Sequence, residues 1–464
     1  MSARRQMALN AFIFPPGHHE AAWRYDKSQP ERIYDADYYQ QIALAAEAAK
    51  FDAVFFADSP SLNGAVEFNA AGRLDPLLTL MAIASVTERI GLIATASTTY
   101  SQPYNLARAF ASLDHLSHGR AGWNIVTTDS AAAGPNFGVD HPDPTDRYER
   151  AREFVDIVTA LWDSWEEEAV LLDKAAGRYA DPDKIHRVDI RGRLLASSGP
   201  LNVPRTPQGQ PVLVQAGASN EGRDFAAAHA EVIFTAQRTL ADARRFYSAV
   251  KAQAAQRDRD PDQVLILPGI SPFIGSTQRE ADELEQRFNE LTVPAYGIRQ
   301  IASITGEDVS GLDLDAPVPA SLFADAGDVT DNRRSRRQVV AGIVERDKPT
   351  LRTLLHRLAG ARGHRVIAGT PERVADELAE WFLRGGADGF NVMPPYFPGG
   401  LTDFTEQVVP ILVDRGLFRR DYTGTTLREH LGLRVPENRF TRARSNPPRS
   451  DLPRADRRIG TGHR

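Results

Sequence analysis

The sequence predicts an α/β protein, a (β/α)8 TIM barrel with insertions after strands 4 and 7. Three observations predict it. Eight short apolar, β-branched runs recur along the chain, and amphipathic helical patterns separate most of them. The runs are apolar on both faces, as parallel strands covered by helices are. Eight repeats are the number that closes a barrel. A doubly wound open sheet is the alternative topology.

The strands read in order as "MALNAFIF", "DAVFFAD", "IGLIATASTT", "RAGWNIVTT", "PVLVQAG", "EVIFTA", "VLILPGISPFIG" and "DGFNVMPP". Helices are expected at "DADYYQQIALAAEAAK", "DPLLTLMAIASVTE", "PYNLARAFASLDHLS", "DRYERAREFVDIVTALWDSW" and "TPERVADELAEWFLRG". Thr145 offers the N-cap of the fourth of these. Two connections exceed ordinary strand–helix loops and read as insertions, at about 166–210 and 291–365. Residues 1–435 then form one barrel domain. The Arg/Pro-rich tail, 436–464, is too poor in apolar residues to bury itself and is expected to be flexible or to meet another subunit.

Composition narrows the function. The 464 residues are 42% hydrophobic and 25% charged, which is ordinary globular usage. A formal net charge of -6 supplies no basic footprint, so no nucleic-acid partner is expected. The absence of cysteine excludes disulfides and thiolate-ligated metals. The Arg pair before the first apolar run is followed by Asn10 and a Pro pair, which suits a buried first strand better than an export signal. No apolar run approaches a membrane span, and a cytoplasmic protein is expected.

Barrel chemistry gathers where strands end. Here those ends carry small hydrogen-bonding groups: Asp58, Thr95, Thr98, Asn124, Thr127 and Thr128. Asn124 lies in the middle of an apolar run, where an amide without a partner is costly. Together the set reads as a polar ligand site at one mouth, although each member alone reads equally well as a cap or loop bond. In "QAGASNEGR" the turn before a helix offers backbone N–H groups at Ala218, Ser219 and Asn220 to an anion, with Arg223 adding charge. Tyr148 shares an apolar helical stripe with Ala151 and Val155, and reads as a core residue or a ligand contact. His18 and His19 have no second ligand at metal-binding spacing, no G-x-S-x-G elbow occurs, and no metal is expected.

The strings "HEAAWR", "ATASTTYSQPYNLARAFASLDHLSHGRAGWNIVT", "DRYERAREF", "GPLNVPRTPQGQPVLVQAGAS", "GHRVIAGTPERVADEL" and "DGFNVMPPYFPGGLTDF" resemble the bacterial luciferase-like flavin monooxygenases. The resemblance is to the nitrilotriacetate and dibenzothiophene-sulfone monooxygenase branch, and it spans roughly residues 7 to 434. It implies a two-component enzyme that receives reduced FMN from a separate NAD(P)H:flavin reductase. With O2 the flavin forms a peroxyflavin, which oxygenates a small organic substrate. The implied flavin contacts fall on Asp58, Thr98, Tyr148 and Ser219, with Asn124 and Ala218 as neighbours. A homo-oligomer, dimer or tetramer, is expected.

Two positions depart from the resemblance. Asn105 and Pro144 stand where many relatives carry histidine. His19, which follows strand 1 and is expected to share the mouth with Asp58, is the first substitute for proton handling, and His141 is the second. A deazaflavin-dependent oxidoreductase of the same fold and a noncatalytic flavin-binding protein are the alternatives.

Overall fold

The computed structural model describes residues 5–62, 66–128, 130–217, 220–323, 331–361 and 363–445. Eight parallel strands close a ring: β1 (Ala8–Ile13), β2 (Ala53–Phe56), β3 (Gly91–Ser97), β4 (Ala121–Val126), β5 (Val212–Gln215), β6 (Val232–Thr235), β7 (Leu265–Ile274) and β8 (Gly389–Val392). β8 pairs with β1 in the register Asn10↔Asn391, which completes the circle. The TIM-barrel expectation holds, with its insertions after strands 4 and 7.

Strand alternation divides the apolar residues between two cores. Ala8, Phe12, Phe55, Ile93, Val214, Phe234 and Leu267 point inward and fill the barrel. Leu9, Ile13, Val54, Leu92, Trp123 and Ile125 point outward against the surrounding helices. This explains why the runs are apolar throughout: both faces of each strand are covered.

At the bottom of the barrel, acidic side chains terminate the strands. The backbone N–H groups of Leu9, Ala121, Leu213 and Ile266 donate to Asp52, Asp114, Glu231 and Asp388 at 2.7, 2.9, 3.0 and 2.9 Å. The C-terminal segment neutralises two of these carboxylates. Arg419 pairs with Asp52, and Arg428 grips Glu231 in a fork at 2.6 and 3.0 Å. The helix Leu427–Leu431, which carries Arg428, pushes Leu427 into the barrel floor, beneath Gly91 and Gly122. A Cβ on Gly91 would collide with that leucine, so the plug requires glycine there.

Three features differ from expectation. The fourth long helix starts at Pro144 with Asp143 as N-cap, two residues ahead of Thr145, because proline suits a first-turn site that has no N–H to satisfy. A further parallel strand, Arg365–Gly369, pairs with the upper half of β7 from Ile270 to Ile274 and raises the barrel wall above β6. The first residues of the tail are docked: Asn438 donates to the carbonyls of Asp163 and Trp165 at 2.8 and 3.0 Å, and Phe440 stacks on His186 at 4.4 Å.

The insertions also have structure of their own. The first contributes two small antiparallel ribbons, Val170–Asp173 with Arg178–Ala180 and Ile190–Arg191 with Ala196–Ser197. The second contributes the helices Pro294–Thr305, Asp331–Asp347 and Leu351–Ala361, with a separate apolar cluster around Ile301, Val340 and Leu354. Among the described residues no helix is long and apolar enough to cross a membrane.

The bottom plug yields a stability prediction. Leu427→Ala leaves a void beneath two glycines that cannot fill it, and is expected to cost about 2–5 kcal/mol in denaturant unfolding. A loss below about 1 kcal/mol would show that the helix merely covers the barrel.

Candidate active site

The C-terminal end of the barrel is open to chemistry where the bottom is sealed. Its floor is aromatic: Phe12 lies 4.5 Å from Phe55 and 5.3 Å from Phe234, measured between ring centres. His364 stacks flat on Phe234, 4.9 Å away and 5° from parallel. Gly269 lies beside that stack, and a Cβ there would strike His364, Met393 and Phe234.

One side of the floor is polar. Asn124 donates from Nδ2 to Thr95 Oγ1 at 2.8 Å, while its Oδ1 is buried with no partner among the described residues. Elsewhere in the barrel, Asn10 Oδ1 on β1 and Ser271 Oγ on β7 are also buried and unpartnered among the described residues. Buried acceptors of this kind cost free energy unless a ligand satisfies them.

The ends of β3 and β4 are tied together above Asn124. Thr98 donates its N–H to Val126 O at 2.9 Å, Thr99 Oγ1 reaches Thr127 O at 2.6 Å, and Thr128 Oγ1 reaches Ser97 Oγ at 2.7 Å. Arg150 and Arg147, from the helix Pro144–Asp163, donate to the carbonyls of Thr98 and Thr128 at 2.8 and 3.0 Å. Thr128 is held at φ +40, a strained backbone for a β-branched residue and one that this network must over-determine.

The other expected residues distribute around this rim. Asp58 follows β2, and burial raises its pKa despite the nearby charge of Arg73, whose guanidinium lies 3.8 Å over the Phe14 ring. Tyr148 is half-buried, its ring 6.2 Å from Phe225 on the helix Asn220–His229, whose start follows residues 218 and 219. Ala218 and Ser219 themselves lie outside the described residues. His141 Nδ1 is bonded to the Tyr100 hydroxyl at 2.7 Å, and Tyr100 stacks on Phe137 at 4.6 Å. This places His141 beside the β3–β4 rim.

His19 is elsewhere. Its loop folds onto the chain beyond β8, with His18 and His19 N–H groups donating to Pro394 and Pro395 carbonyls at 3.0 and 3.2 Å. The imidazole is enclosed 5.1 Å from Phe288 and 6.3 Å from Phe273, under the helix Gln278–Glu290, rather than facing Asp58. Burial lowers its pKa to about 3, with Asn289 opposing the shift. Near pH 7 it is neutral.

Sequence reading missed His364 and the strand that follows it. The signals were present: "HRVIAG" is a short β-branched run, and "TPERV" opens a helix with Thr370 as N-cap.

A parallel barrel sealed below and polar above, with long insertions around the open end, defines a barrel enzyme with its active site at the C-terminal face. The chain belongs to the luciferase-like monooxygenase family, whose model matches residues 11–389. It is 46% identical to N-acetyl-S-(2-succino)cysteine monooxygenase of Bacillus subtilis (strain 168), over 95% of this chain and 100% of the relative. It is 44% identical to nitrilotriacetate monooxygenase component A of Aminobacter aminovorans, over 94% and 99%. Dibenzothiophene-sulfone monooxygenase of Rhodococcus erythropolis is also similar, at 40% identity over 94% of this chain and 99% of that one, so the branch expected from the motifs is the one found. Among solved structures, a riboflavin lyase with modified FMN and substrate riboflavin superposes with a TM-score of 0.82 at 35% identity, covering 93% of this chain and 97% of that one.

The buried histidines generate a pH prediction. His19 has a folded pKa of about 3, and burial also lowers His229 and His430 to about 4. Below pH 6.5 the unfolded chain takes up protons that the folded chain refuses. Stability is therefore complete above that pH and falls as pH drops toward 4, by about 1.4 kcal/mol per unit for each such histidine. Urea unfolding between pH 7 and 4.5 should show a shallower decline for His19→Gln. An unchanged slope would mean that His19 is hydrated in the native state.

Proposed function

We propose that this enzyme is the oxygenase of a two-component flavin system, taking reduced FMN from a separate NAD(P)H:flavin reductase and using O2 to oxygenate a small organic substrate. The observation that carries this reading is the aromatic floor flanked by the unpartnered amide oxygen of Asn124, at the open mouth of a luciferase-like barrel. A flat heteroaromatic ring with N–H donors fits both features. One relative is named as a component A, which suits a partner reductase.

Asp58, Thr98, Asn124 and Tyr148 would hold the ring and chain of the flavin, with Ala218 and Ser219 receiving its phosphate. Bound reduced FMN supplies the electrons that activate O2 for transfer of one oxygen atom. The protein's part is to orient and shield. The crossbonded ends of β3 and β4 fix the rim around Asn124, so the acceptor is set before the ligand arrives. The second insertion helps exclude water, which favours oxygen transfer over release of peroxide.

Proton handling falls to His141. It sits beside the β3–β4 rim through Tyr100, whereas His19 is neutral and enclosed. A positioned acid or base contributes on the order of 10²- to 10⁴-fold to such a step.

Isotopically labelled O2, reduced FMN and a substrate panel provide the test. A product carrying one labelled oxygen is the expected outcome; hydride transfer with a deazaflavin and no oxygen uptake would replace this reading. Asn124→Ala should weaken reduced FMN about 2- to 10-fold in anaerobic fluorescence titration, the equivalent of one hydrogen bond. His141→Gln should raise hydrogen peroxide release while leaving that affinity unchanged. Unaltered coupling in this variant would remove His141 from the reaction.

A further inference from the structure

We infer, on the flavin reading above, that Arg73 is a flavin-positioning residue: its guanidinium takes the N1 and C2-carbonyl edge of the bound ring and makes the site prefer reduced FMN over oxidised FMN. Arg73 stands in the loop between β2 and the helix Pro76–Ala84, at the edge of the mouth. Its guanidinium lies 3.8 Å over the ring of Phe14, a residue only 6% exposed that belongs to the apolar filling of the barrel. Phe14 meets Phe12 edge-on at 6.3 Å, so the cation caps the aromatic floor rather than the outer surface. Among the described residues Arg73 makes no hydrogen bond or ion pair, and it remains open to solvent.

The backbone on both sides of Arg73 is fixed. Before it, Trp23 Nε1 donates to the Phe68 carbonyl at 2.7 Å, Asn69 Nδ2 donates to the Tyr296 hydroxyl at 2.6 Å, and Arg299 lies 5.1 Å over the Phe68 ring. Tyr296 and Arg299 belong to the helix Pro294–Thr305, so the second insertion holds this part of the loop. A Cβ on Gly72 would strike the Tyr34 hydroxyl, and only glycine lets the chain pass there. After it, Asp75 caps the helix Pro76–Ala84 by accepting from the Leu78 N–H at 3.0 Å. A guanidinium on a pinned backbone, with its edge donors unused, is set for a ligand before the ligand arrives.

Asp58 is the carboxylate whose field acts on Arg73, and the two do not pair. Opposite groups held apart at one mouth offer a donor and an acceptor to the same space. The pyrimidine edge of a flavin matches that pattern, with an N3–H between two carbonyls. Charge then separates the redox states. Reduced flavin carries negative charge over N1 and the C2 carbonyl, which oxidised flavin lacks, and a protein charge near N1 tunes the cofactor. Burial raises the pKa of Asp58, so its carboxyl can give up its charge by taking a proton, whereas the guanidinium keeps its own. The cation is therefore the fixed charge at this edge, and it favours the reduced ring.

Anaerobic titration of the full-length protein with oxidised and reduced FMN, together with the midpoint potential of the bound flavin, tests the assignment. The wild type should bind reduced FMN at least about tenfold more tightly than oxidised FMN. Arg73→Gln should lose that preference and leave oxidised-FMN affinity within about twofold, which also shows that the variant is folded. The bound potential should then fall by about 30 mV, the two-electron equivalent of tenfold. Arg73→Lys keeps the charge without the fork and should retain a preference of at least about threefold. Equal affinity of the wild type for both redox states, or equal losses for both in Arg73→Gln, would overturn the proposal. A loss seen with FMN but absent with riboflavin would assign Arg73 to the flavin phosphate, and would overturn it too. If the wild type binds neither redox state, the flavin reading fails and the role of Arg73 with it. If the wild type binds reduced FMN tightly and the Arg73 variants match it, the flavin reading stands and only the role of Arg73 falls.

Discussion

Closure of the strand ring is the constraint on which the rest depends. Once β8 pairs with β1, the ring has no free edge, and its wall offers no backbone group to a ligand. Polar chemistry can then survive only at the two ends. The ends are treated in opposite ways. At the bottom, carboxylates terminate four strands, arginines from the C-terminal segment answer two of those carboxylates, and Leu427 fills the remaining space. At the top, Asn124 Oδ1 and Ser271 Oγ are buried without partners among the described residues. One end is plugged by Leu427, and the other offers Asn124 Oδ1 to a ligand.

This asymmetry also explains the rigid rim. A site that offers an unpaired acceptor needs neighbours that cannot collapse onto it. The bonds between Thr98 and Val126, Thr99 and Thr127, and Thr128 and Ser97 lock the ends of β3 and β4, and the strained Thr128 backbone is held within them. Arg147 and Arg150 then anchor the carbonyls of Thr128 and Thr98 to the following helix. The strain and the unpaired amide lie on the same two strands, and both are offset by hydrogen bonds that surround them.

Much of this was legible in the sequence because it is local. The eight strands show as runs apolar on both faces, and Asn124 shows as the polar residue that such a run should not contain. Residues whose surroundings come from distant parts of the chain were not legible. His19 looks like a mouth residue until the pairing of its loop with Pro394 and Pro395 turns it under the helix Gln278–Glu290. The strand Arg365–Gly369 is half-exposed and pairs only with the upper part of β7, so its pattern is weaker than that of a ring strand.

The central claim is that the flavin occupies the C-terminal mouth against Asn124. A crystal structure of the protein soaked anaerobically with reduced FMN tests it most directly. The account predicts the ring system over the aromatic floor, with Asn124 Oδ1 accepting a hydrogen bond from a ring N–H. Flavin density at the bottom of the barrel, or in the mouth with Asn124 Oδ1 still unpartnered, would contradict it.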